Sequence, residues 1–168
     1  MRPSKLVRVA ASPTAIPLAL AAICASGGCA HTKVIPGTSV LDTEENRAVI
    51  SVIEDYRQRL MQKNVDGVLV LASESYFEDS GTPRADDDYG YGGLRQVMES
   101  RFARVKALRY DIEYRKIRVQ GDNAWAEVFL DGAFELTSES GDRYRRVNDY
   151  WQFVLKKNDG KWKFVSGM

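Results

Sequence analysis

From Asp42 onward the apolar residues first recur in threes and fours. Val49, Val52, Ile53, Tyr56 and Leu60 keep helical spacing behind Asp42 and Glu45, an N-cap residue and an acid placed to reach back to it. They predict a long first helix. Asn64 and Gly67 interrupt the stripe, and Val68, Leu69, Leu71 and Ala72 predict a shorter second helix ahead of a strand at Tyr76 and Phe77. The polar stretch from Glu78 to Gly90 reads as a loop. Beyond Gly92 and Gly93, the set Leu94, Val97, Met98, Phe102 and Val105 returns to helical spacing and predicts a third helix.

From Leu108 the period changes to two. Turn signals at Gly121 to Asn123, Ser140-Gly141 and Asp159-Gly160 divide the remainder into four strands of an antiparallel meander. A two-residue loop at Ser140 and Gly141 sets Phe134 against Val147, Leu130 against Trp151 and Val128 against Phe153, with Asp149 opposite Gly132. Closing the next hairpin at Asp159 and Gly160 sets Leu155 against Phe164, Phe153 against Ser166 and Trp151 against Met168, all on the same apolar face. The apolar phase shifts between Tyr114 and Ile117, which predicts a bulge. Helices first and a paired sheet afterwards make an α+β arrangement: three N-terminal helices packed on a curved antiparallel sheet.

Ahead of this domain the chain has another character. Arg2, Lys5 and Arg8 precede an apolar run from Ile16 to Ala25 and the small residues Ser26, Gly27 and Gly28 before Cys29. That is the layout of a secretory signal, and a run of about ten apolar residues falls short of the roughly 20 that a spanning helix needs. The Gly28-Cys29 junction resembles a bacterial lipoprotein box, with Ser26 where the box usually has an aliphatic residue. The resemblance implies a signal peptide over 1–28, an acylated Cys29, and a tether from 29 to 41 ahead of a domain over 42–168. Ala30 after the cysteine resembles the outer-membrane sorting pattern. Ordinary cleavage nearby is the alternative, releasing a soluble periplasmic protein.

Composition narrows the chemistry. The chain has 168 residues and a net charge of +1, which becomes −2 once the segment with three bases and no acid is removed. No nucleic-acid footprint emerges, and Arg143, Arg145 and Arg146 are interleaved with acids in the pattern of a solvated sheet face. Cys24 lies in the apolar run and no cysteine follows Cys29, so the domain folds without an internal disulfide.

A long helix, a short helix entering a Tyr-Phe strand, a glycine-led third helix and long strands ending in Trp162-Lys163-Phe164-Val165-Ser166-Gly167-Met168 together resemble nuclear transport factor 2-like and SnoaL-like domains. The resemblance spans Asp42 to Met168. It implies a cone with a pocket between sheet and helices, in a superfamily holding isomerases, dehydratases, cyclases and non-catalytic modules. Fold alone does not choose among these.

The only histidine, His31, sits in the tether. Serine–histidine and cysteine–histidine nucleophilic sites, histidine-ligated zinc and the histidine-dependent dehydratases of the superfamily are therefore excluded from the domain. No phosphate-cradling glycine motif is present, and the run Asp86, Asp87, Asp88 fails the EF-hand pattern, so neither cofactor nor metal is expected. Carboxylate, phenol and guanidinium chemistry remains. Strand alternation puts Asp149 on the core side with Arg145, Trp151 and Phe153, as a tentative base or as a buried structural acid that is salt-bridged, for example to Arg145 or Arg115, or hydrogen-bonded. Glu113 and Arg115 are further pocket candidates, and Tyr56 and Tyr76 could add phenols or simply fill the core.

On the opposite sheet face Trp125, Phe129, Tyr150 and Val154 come together as a patch too apolar for open water, which predicts a homodimer or another envelope partner. Three functions follow: a lipid-anchored module binding a small apolar ligand or a protein, an acid–base enzyme using Asp149, and a dimeric assembly component.

Overall fold

The computed structural model describes residues 33–79, 83, 86–138 and 141–168. The export segment, Cys29, His31 and Ser140 lie outside the described residues.

Helix α1 (Glu44–Met61) begins one residue later than the sequence pattern suggests. Thr43, in extended backbone, is the cap, and its hydroxyl accepts the Asn46 amide at 3.1 Å. Asp42 is unavailable for that role because the Arg47 guanidinium, at 2.9 Å, and the Lys33 amine, at 3.3 Å, hold its carboxylate. Val49, Ile53, Tyr56 and Leu60 form the buried stripe. Helix α2 (Val65–Leu69) is capped by the Asn64 side chain, which accepts the Gly67 amide at 2.8 Å. A two-stranded ribbon follows, β1 (Phe77–Glu78) with β2 (Tyr89–Gly90), and runs into helix α3 (Tyr91–Arg104), which buries Leu94 and Met98.

Four antiparallel strands complete the chain in meander order: β3 (Val105–Gln120), β4 (Asn123–Leu136), β5 (Arg143–Asn158) and β6 (Lys161–Ser166). The α+β assignment stands, with the helices between 44 and 104. The turn at Asp159 and Gly160 has positive φ at both residues, 49° and 76°, which suits a tight hairpin closing on Asn158 and Lys161. The bulge foreseen near Tyr114 is present, between Tyr114 and Lys116.

Register differs at two hairpins. Leu136 pairs with Arg143, so six residues lie outside the β4–β5 ladder, and each partner shifts by two from the two-residue-loop expectation. Val128 faces Trp151, Leu130 faces Asp149, Gly132 faces Val147 and Phe134 faces Arg145. Beyond Leu136 the Thr137 amide donates to the Arg104 carbonyl at 2.8 Å, on the β3 side of the strand. A slip of two preserves the face each side chain occupies. In β6, Leu155 faces Phe164 as expected, but an irregularity at Val154 places Val154, not Phe153, against Ser166. Trp151 and Met168 are not ladder partners. The chain bends at Gly167, φ 95°, whose carbonyl accepts the Trp151 indole N–H at 2.6 Å.

The segment from Lys33 to Leu41, expected in the tether, packs on the domain. Ile35 donates to the Val40 carbonyl at 2.9 Å, Ser39 donates to the Tyr114 carbonyl at 3.3 Å, and Val40 is buried.

One core joins helices to sheet. Phe153 and Phe164 are fully buried at 5.6 Å between ring centroids, and Tyr56 of α1 leans on both at 5.9 and 5.3 Å. Each such ring contributes about 1.5–3 kcal/mol by leaving water. Ala124, Ala126 and Val128 of β4 are buried in this core. Farther along the same face, Phe134, Arg145 and Val147 are not buried and line a hollow.

Candidate functional site

The hollow has a volume of about 360 Å³. That lies within the roughly 300–1,000 Å³ of small-molecule sites. Its depth is formed by Tyr56 and Leu60 of α1, Met98 of α3, and Tyr110 and Leu130 of the sheet. The rings of Tyr56 and Tyr110 meet edge-on with centroids 6.5 Å apart. Among the described residues neither hydroxyl has a hydrogen-bond partner, although Tyr56 is only 3% exposed. Burial pushes the Tyr56 phenol well above its ordinary pKa and raises that of Tyr110 too. Both are therefore neutral hydroxyls at any physiological pH, able to donate to or accept from a guest but not to act as bases.

Asp149, Arg145, Trp151 and Arg101 form the mouth. Asp149 is exposed, and its Oδ1 accepts the Tyr150 amide at 2.8 Å. No arginine pairs with it among the described residues, so of the two structural readings the hydrogen-bonded acid is the one present, though exposed rather than buried. Arg145 sits four residues earlier on the same strand face, about 13 Å along β5, which explains why the two do not meet. Trp151 is half-exposed at the mouth and anchored to Gly167, while Phe153 is buried in the core beneath.

The remaining sequence candidates lie elsewhere. Tyr76 is buried, but its hydroxyl donates to Glu78 at 2.7 Å and accepts the Met168 amide at 3.1 Å, while Glu78 also accepts the Gly167 amide at 2.7 Å. Tyr76 and Glu78 thus clamp the end of β6, and neither lines the hollow. Desolvation, then the bond to Glu78, raises the Tyr76 pKa. Glu113 and Arg115 pair with each other at 2.8 Å and are exposed, since Tyr114 between them takes the inward position before the bulge. On the outer face Phe129 and Tyr150 are ladder partners with rings 5.3 Å apart, Trp125 pairs with Val154, and Arg118 stacks 4.3 Å over Trp125. Tyr150 is 71% exposed.

Tyr110 and Arg101 were missed by sequence reasoning. Tyr110 belongs to the inward period of β3, with Leu108 and Ile112, and that alternation was the available signal. Arg101 follows the last inward turn of α3, and nothing in its spacing marks it. Among the described residues no group of three or more His, Cys, Asp or Glu could hold a metal ion.

A curved meander with helices laid across it and a hollow at the open end of the sheet defines an α+β pocket domain. The SnoaL-like domain profile matches residues 49–167, and the chain belongs to that family. No curated protein matches the chain. Among solved structures it is similar to a candidate aromatic ring hydroxylase from Novosphingobium aromaticivorans, at 20% identity and TM-score 0.64, over 74% of this chain and 86% of that one. A candidate scytalone dehydratase from the same organism aligns at 18% identity and TM-score 0.60, over 73% and 80%. A ketosteroid isomerase-like protein from Erwinia carotovora atroseptica aligns at 19% identity and TM-score 0.59, over 75% and 95%. At these identities the likeness shows the fold.

Proposed function

We propose that the protein is an exported, lipid-anchored envelope component whose hollow binds a small, largely apolar ligand without transforming it. The carrying observation is the pair of phenols, buried Tyr56 and half-buried Tyr110, which line the hollow and take no hydrogen bond from the described residues. A guest with one polar atom at that depth gains a hydrogen bond to either hydroxyl, worth about 0.5–1.5 kcal/mol. The test is fluorescence enhancement of the neutral probe N-phenyl-1-naphthylamine. The protein should bind it, and Val147→Trp, which fills the half-buried inner rim, should weaken binding by at least about tenfold, the worth of one well-placed contact. Unchanged binding by this variant removes the hollow as the site.

A second reading is favoured by one observation: Asp149 lines the hollow and forms no ion pair among the described residues. An acid–base enzyme would use this carboxylate to move a proton beside a carbonyl, with Tyr56 as hydrogen-bond donor, in line with the isomerase-like and dehydratase names among its structural likenesses. Under that reading Asp149→Asn removes turnover of an enolisable ketone by about 100-fold or more while ligand binding stays. Equal turnover by both proteins discards it. The same proposal includes pairing of two copies through the patch of Trp125, Phe129, Tyr150 and Val154.

A further inference from the structure

At its open end the hollow meets a wider groove of about 790 Å³, and Arg101, Val105, Phe134, Arg145 and Val147 belong to the walls of both. Guanidiniums line the groove from two elements. Arg101 and Arg104 come from the last turn of α3, and Arg145 from the start of β5. The floor between them is apolar, with Val105, Phe134 and Leu136. No carboxylate lines this groove among the described residues.

The neighbouring arginines on the outer face behave otherwise. Arg146 and Arg109 share Asp131, at 3.4 and 2.7 Å, and Arg115 has Glu113. By contrast the Arg104 and Arg145 side chains hold no ion pair and no hydrogen bond among the described residues. Like charges gathered around an apolar floor repel one another, and a cleft with low-dielectric walls focuses their field. Such a site favours an anion, and guanidinium suits carboxylate and phosphate because its planar fork binds two oxygens at once. Beyond the groove the wall turns neutral and aromatic, toward Tyr56 and Tyr110, and the Asp149 carboxylate lies about 13 Å along the strand from Arg145.

We infer that the arginine groove holds the anionic head of an amphiphile, a carboxylate or phosphate, whose hydrocarbon body occupies the hollow. This rests on the reading of the hollow as a small-ligand site and names the ligand class.

Displacement of N-phenyl-1-naphthylamine from the purified full chain tests it, with dodecanoate, dodecyl phosphate and dodecan-1-ol as competitors, each kept monomeric. The anions should displace the probe at concentrations at least about tenfold lower than the alcohol, the worth of one charged hydrogen bond. Whichever anion is stronger assigns the head as carboxylate or phosphate. The double variant Arg104→Gln/Arg145→Gln should lose that preference while still releasing probe to the alcohol, which also reports that it is folded; Arg146→Gln should keep the preference. Equal displacement by alcohol and anions overturns the inference and leaves the hollow as a small-ligand site. Failure of the probe itself to bind overturns both. Binding to anionic vesicles that the double variant loses, without displacement by monomeric anions, overturns the inference in favour of a membrane surface.

Discussion

Asp42 is held at a pKa of about 2, down from the ordinary 3.8, chiefly by the hydrogen bond from Arg47 and secondarily by Lys33. A carboxylate with a depressed folded pKa binds fewer protons when folded, so its contribution is complete above 3.8 and is lost as pH falls toward 2. Melting temperature should therefore fall with acid across that window, and Asp42→Asn should show a flatter decline there, read by circular dichroism. At this scale the sequence was only half legible. Alternation set Asp149 on the sheet face it shares with Leu130, but not its exposure at the mouth of the hollow. That Tyr76 clamps Met168 did not follow from alternation, because its partners, Glu78 and the last two residues, are joined by chain reversal rather than by spacing. Asp42 looked like a helix cap because type and position fitted, and only the folding back of Lys33 and the reach of Arg47 hand that role to Thr43.

Elements were read more securely than their pairing. The switch of period near Leu108 separates helices from strands, since amphipathic helices and half-buried strands place apolar residues at different intervals. Pairing depends on where each hairpin closes. The β4–β5 ladder closes at Leu136 and Arg143, two residues from the closure that the Ser140-Gly141 signal suggested. The inner wall survived the error since a slip of two keeps parity, so Phe153 is in the core either way. Phe153→Ala should cost about 3–5 kcal/mol in chemical denaturation, because Tyr56 and Phe164 close on this ring from two sides and the vacated space cannot collapse. A loss under 1 kcal/mol would mean that α1 is not fixed to the sheet here.

For the whole molecule, the family membership accounts for the curved antiparallel wall with helices laid across it. Native mass spectrometry of protein purified from the cell envelope tests the proposed assembly in one measurement. It should give a dimer, with the added mass of acyl chains assigned to Cys29 by the loss of that mass in Cys29→Ala. A monomer without added mass would remove both the anchor and the pairing. The clamp of Tyr76 and Glu78 on Gly167 and Met168 bears on how such material is prepared. Met168 is 5% exposed and forms part of the hollow's lining. Whatever is spliced on after it sets out from the interior, so an affinity handle belongs on an exposed turn such as Gly121-Asp122. Placed behind Met168, the handle would itself compete for the space in which a guest is sought.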